Sequence, residues 1–137
     1  MTQQEKNLDL VRELYRSIDT QDFDRAGALV SPRFQCCMGG RQLDLASWVG
    51  MGRMFMTSFP DGRHVFDLTE ASGDYVLLHG VFTGTHSEEF QGIPPTGNVI
   101  KSSFTAIVKV VDGKIVEEYG DFDSGGLMQQ LMQRGAS

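Results

Sequence analysis

The period of the hydrophobic pattern changes near residue 60, and that change dictates the order in which the layers of this chain are made. Before it, apolar residues recur at helical spacing; after it, they alternate as in strands. The pattern predicts a first helix over about Gln3–Ile18, with Leu8, Val11, Tyr15 and Ile18 on one stripe and Thr2 with Glu5 as a capping box. A short helix over about Asp22–Val30 buries Phe23, Ala26 and Leu29, and Ser31-Pro32 stops it, because a proline disfavours helix in the residue before it. A third helix over about Asp44–Ser58 places Trp48, Gly52, Phe55 and Phe59 in register, with Asp44 as cap. Strands follow over Arg63–Ser72, Asp74–His86, Gly97–Val111 and Lys114–Phe122, and a helix over Ser124–Gln133 closes the chain. Val111-Asp112-Gly113-Lys114 is a tight-hairpin signal, since Asp-Gly accepts the positive φ values such a turn demands. Helices first and strands afterwards indicate an α+β fold. One antiparallel sheet must then bury an apolar face against the helices; if it curls, the first and third helices cover its concave side and leave a cavity, the expected seat of function.

Composition narrows the partners. The chain has 137 residues, the size of one domain, and a formal net charge of −6. Gripping phosphates needs clustered Lys and Arg, so neither nucleic acid nor an anionic membrane surface is an expected partner. No apolar run approaches the ~20 residues that span a bilayer, and Met1-Thr2-Gln3-Gln4-Glu5-Lys6 lacks the layout of a secretory signal. Cys36 and Cys37 are neighbours, too close in the chain for an unstrained disulfide, and read as free thiols of a cytoplasmic protein. His64, His79 and His86 lack metal-ligand spacing, and no phosphate loop or dinucleotide fingerprint is present. The expectation is a protein without metal or cofactor.

Several blocks in a fixed order carry a resemblance. They are Phe59-Pro60-Asp61; Gly84-Thr85-His86 with Phe90-Gln91-Gly92-Ile93-Pro94-Pro95-Thr96-Gly97; Asp112-Gly113-Lys114-Ile115-Val116-Glu117; and Gly126-Leu127-Met128-Gln129-Gln130-Leu131. Together they resemble the SnoaL-like polyketide cyclases of the nuclear-transport-factor-2-like superfamily. The resemblance implies an α+β cone, a homodimer and an intramolecular aldol closure of a polyketide ester without metal or cofactor. It also implies an acid/base aspartate on the last strand and a helping histidine on the strand before it. Those two roles fall on Gly120 and Ala106, and neither residue can move a proton.

The catalytic candidates are therefore other residues. If the Asp112-Gly113 hairpin is regular, Phe104 faces Asp121 and Ala106 faces Tyr119, which turns Asp121 onto the apolar side as general acid/base. A bulge would return Asp121 to solvent and make Glu118 the pocket carboxylate. Asp123 reads as the cap of the last helix. Tyr15 either packs or donates to a substrate carbonyl; a tyrosine on the first helix has that second role in the ketosteroid isomerase branch of the superfamily. His86 either works in the pocket or pins the Ser87–Thr96 loop, while His64 and His79 read as structural or exposed. Trp48, Met51, Phe55, Phe104 and Tyr119 are the expected substrate-binding residues, with the methionines giving an adaptable wall. Lys101, Thr105, Ile107 and Lys109 form the opposite face, the expected homodimer surface. Two readings stand. One is a cofactor-independent acid/base enzyme acting on a small hydrophobic, polyketide-like carbonyl compound. The other is a non-catalytic binding or accessory protein of the same fold; hydrolase or hydroxylase variants are further possibilities.

Overall fold

Thr2 accepts the backbone N–H of Glu5, and from that cap α1 runs over Gln3–Asp19. Asp22 caps α2 (Phe23–Ala28) and Asp44 caps α3 (Leu45–Ser58), in each case by accepting the N–H three residues on. These coordinates are a computed structural model and describe residues 1–133. The strands β3 (Arg63–Ser72), β4 (Tyr75–Thr85), β5 (Val99–Val111) and β6 (Lys114–Phe122) follow, then α4 (Ser124–Met132), which Asp123 caps through Gly126 N–H. Each lies within two residues of its sequence-based range.

Two strands escape the sequence pattern: β1 (Val30–Met38) and β2 (Arg41–Asp44). The second helix ends at Ala28 with Leu29 as its cap, ahead of Ser31-Pro32, and those two residues lie inside β1 rather than at the helix end. The pairing of β1 is irregular between Val30 and Gln35, the stretch that holds Pro32. The sheet order is β2-β1-β6-β5-β4-β3. All neighbours are antiparallel except β1 and β6, which run parallel, so the sheet is mixed rather than wholly antiparallel. α1 packs on β3 and β4, and α3 packs on β1 and β2. The sheet's inner face is sharply patterned: Ile100, Ser102, Phe104, Ala106, Val108 and Val110 of β5 are all buried, while most residues between them are exposed.

The family-like blocks meet one another at one end of this sheet. The Asp61 carboxylate accepts both the backbone N–H and the hydroxyl of Thr85, at 2.7 and 2.8 Å. Those bonds hold its carboxyl below the usual aspartate range. Gly84 lets Phe59 and Gly62 approach so closely that an added Cβ would sit 3.0 Å from Phe59 Cβ. No helix among the described residues is long and apolar enough to cross a membrane.

The hairpin between β5 and β6 decides which carboxylate enters the core. Asp112 and Gly113 adopt φ values of 51° and 74°, a tight turn of the primed kind. Val111 pairs with Lys114 and Val110 with Ile115, but Lys109 then pairs with Glu117. Val116 is the extra residue of a bulge, and beyond it every side chain of β6 changes face. Phe104 consequently faces Phe122 rather than Asp121, and Ala106 faces Gly120 rather than Tyr119.

Candidate functional site

Glu118, Gly120 and Phe122 therefore form the inner row of β6. Glu118 is only 2% exposed. An isolated carboxylate at that depth would cost several kcal/mol, and the neighbouring elements supply it with donors. Tyr15 of α1 donates its hydroxyl to Oε1. Trp48 of α3 donates its indole N–H to Oε2 over 3.1 Å, and Cys36 of β1 donates its thiol to the same oxygen over 3.6 Å. Because β1 runs parallel beside β6, Cys36 is the register partner of Glu118. A carboxylate offers about four acceptor positions; three are filled here, and one on Oε1 remains. Burial, then the adjacent Glu118 charge, pushes the Tyr15 hydroxyl well above the ordinary tyrosine range. The same causes raise the Cys36 thiol. Both groups are thereby kept as proton donors to Glu118.

Beside this cluster lies a cavity of about 110 Å³. Its wall includes Phe23, Met38, Met51, Phe55, Met56, Phe82, Phe104 and Phe122, with Tyr15, Trp48, His64, Ser102 and Glu118 among the polar contributors. A cavity of ~150 Å³ in an apolar core holds one benzene ring. A larger ligand needs side chains to move, and three methionines in the wall provide for that. Of the sequence candidates, Tyr15, Trp48, Met51, Phe55, Phe104 and the alternative carboxylate Glu118 come together at this cavity.

The others do not. Asp121 pairs with Thr105 on the outer face of the sheet and is exposed, because the Val116 bulge has turned it outward; this corrects the regular-hairpin expectation. Tyr119 points out for the same reason, 47% exposed, with its hydroxyl donating to Glu117. His86 is fully buried but away from the cavity wall. Its Nδ1 accepts the backbone N–H of Thr96 at 3.2 Å and lies 2.9 Å from the Thr96 hydroxyl, which fastens the loop that leaves β4. Of its two expected roles, the geometry matches loop pinning. At Gly120 an added Cβ would lie 3.1 Å from Met38 Cε, so the Met38 thioether fills the space beside that position.

His64, structural or exposed by its sequence context, lines the cavity. Its Nδ1 lies 2.6 Å from Asp19 Oδ1, and its backbone N–H donates to Asp19 Oδ2 over 2.9 Å. No local spacing links Asp19 to His64. They meet because the end of α1 abuts the start of β3.

The sequence profile of the SnoaL-like polyketide cyclases matches residues 9–131. The chain belongs to that family. Similar solved structures include AclR, a proposed hydroxylase from Streptomyces galilaeus, with 24% identity, a TM-score of 0.87, and coverage of 93% of this chain and 96% of that one. IdmH, a proposed polyketide cyclase from Streptomyces antibioticus, has 27% identity and a TM-score of 0.83, over 91% of this chain and 97% of that one. TsrD from Streptomyces laurentii shares the fold at 17% identity, with a TM-score of 0.83 over 96% and 98% of the two chains. No curated protein matches the chain.

Proposed function

We propose that this SnoaL-like chain is a cofactor-independent acid/base enzyme that moves a proton beside the carbonyl of a small, mostly apolar, polyketide-like compound, with Glu118 as the acid/base. The observation that carries this reading is a carboxylate buried to 2% exposure in the wall of an apolar cavity, with one acceptor position on Oε1 unfilled. A C–H next to a carbonyl gives its proton to Oε1, and the electron pair moves onto the carbonyl oxygen as an enolate. In an aldol closure the enolate carbon bonds to a second carbonyl carbon, and the new alkoxide takes the proton back. Excluding water from such a site strengthens each of these electrostatic contacts. Tyr15 is then a positioning residue: its hydroxyl is committed to Glu118 and holds the carboxylate in place.

The family's acid position is Gly120, which lies two residues beyond Glu118 on the same face of β6. The chemistry has moved along the strand by one inward-facing position, and Met38 occupies the vacated space. A second reading, a binding protein that has lost catalysis, draws on Ala106 facing Gly120 where the family's pair would stand. Incubation with 2-tetralone in D₂O, with no metal or cofactor added, separates the two. The enzyme reading expects protein-dependent uptake of deuterium at the carbons beside the carbonyl. Binding without exchange would favour the second reading.

The outer sheet face carries Tyr75, Val99, Ile107 and Tyr119, each more than 40% exposed, interleaved with Lys101 and Thr105. We propose that this face pairs two copies, since one self-complementary patch serves both subunits. Light scattering should give twice 15.2 kDa; a monomer mass would contradict it.

A further inference from the structure

His64 and Asp19 form a pair that the Glu118 chemistry does not use. The Asp19 carboxylate receives both the backbone N–H and Nδ1 of His64, which fixes the ring's position and its rotation about the side-chain axis. The ring is held further by aromatic neighbours: Tyr15, Phe82 and Phe104 lie with centroids 4.8, 5.1 and 5.4 Å away. A carboxylate accepting from Nδ1–H leaves the lone pair of a neutral imidazole on Nε2. The residue lines the cavity. Tyr15 stands between the two acid/base sites, its ring against His64 and its hydroxyl on Glu118.

We propose that His64, oriented by Asp19, is a second proton acceptor of this cavity, taking a proton from an O–H or acidic C–H of the ligand at a position separate from the one served by Glu118. The proton passes to Nε2, and the Asp19 carboxylate balances the imidazolium charge. The ligand class is accordingly an apolar carbonyl compound with a second polar group, such as an enolic or phenolic hydroxyl. This rests on the cavity being the reactive site, but not on Glu118 being its base.

The test uses 5-nitrobenzisoxazole, whose base-driven opening reports any accessible base in an apolar cavity. The C3–H proton goes to the base, its electron pair completes the nitrile, the N–O bond breaks, and the coloured phenolate is released. Wild type should accelerate this opening. His64→Gln should lose about 10²-fold of the acceleration. Asp19→Asn should lose a similar factor with the fold retained, because an amide that donates to Nδ1 puts the proton on Nε2 and removes its lone pair. His79→Gln, which breaks the analogous but exposed pair with Asp67, should change nothing. Glu118→Gln is run alongside. Loss there with full activity in His64→Gln overturns this proposal and leaves the Glu118 reading standing; the converse supports His64 and counts against Glu118. No acceleration by wild type also overturns it. Should His64→Gln fail to fold, ¹⁵N NMR of wild type decides. Adding 4-nitrophenol should shift the His64 Nε2 resonance, and an unmoved resonance overturns the proposal.

Discussion

Replacing Glu118 by Gln should slow deuterium exchange into 2-tetralone by about 10²–10⁴-fold, the usual worth of a general acid/base, while ligand affinity changes little. The side chain keeps its shape, but it no longer accepts a proton at the pH of the assay. The amide nitrogen takes the place of Oε1 and donates to the Tyr15 oxygen, while the amide oxygen keeps Trp48 and Cys36. The buried Tyr15 hydroxyl hydrogen then loses its acceptor, which costs about 1–3 kcal/mol of stability. Asp121→Asn, on the outer face, should leave both rate and stability unchanged. A full rate in Glu118→Gln, with exchange intact in wild type, would remove Glu118 from the mechanism.

Stability should fall steeply on the alkaline side. Tyr15 and Cys36 have ordinary pKa values of 10.0 and 9.0, and burial followed by the Glu118 charge raises both in the folded protein. Well below pH 9.0 both groups hold their protons folded or unfolded, and the stabilising donors to Glu118 are fully present. Above that, the unfolded chain releases protons that the folded one retains, so the folded state binds more protons and stability declines as pH rises. Each group contributes about 1.4 kcal/mol per pH unit once its unfolded form has titrated. Urea unfolding at about pH 8 and about pH 11 measures the decline. Tyr15→Phe should show the shallower one, and equal declines in the two proteins would contradict the assignment.

The resemblance was legible because its motifs are the clamps of the fold. Asp61 grips Thr85, Gly84 admits Phe59, and His86 fastens Thr96. Those residues hold loops and strand ends together, so they announce the architecture and say little about what the cavity does. The helices and four strands were legible for a related reason, since long periodic segments and their caps are local signals. β1 was not, because Pro32 and an irregular register interrupt its alternation, and its pairing with β6 is a distant contact.

The hairpin register was not legible in the sequence. The Asp112-Gly113 turn fixes only the first pairs, and nothing local to the turn requires the extra residue at Val116. Burial accounting was the available signal. A regular hairpin would have turned Glu117, Tyr119 and Asp121 inward and Phe122 outward. The bulged one buries a single carboxylate, Glu118, and brings Phe122 into the cavity wall. One charge with three donors ready is easier to accommodate than two charges without them. His64 was missed for a different reason. Its partner Asp19 lies 45 residues away in the chain, a juxtaposition that only the folded sheet creates.

A crystal structure with 4-nitrophenol, a planar mimic of an enolate, locates the reactive site. The ring should lie in the apolar cavity among Met51, Phe55 and Phe104, with its oxygen within hydrogen-bonding distance of the Glu118–Tyr15 pair or of His64 Nε2. A ring seated instead on the outer face of the sheet beside Asp121, with the cavity unchanged, would contradict that placement.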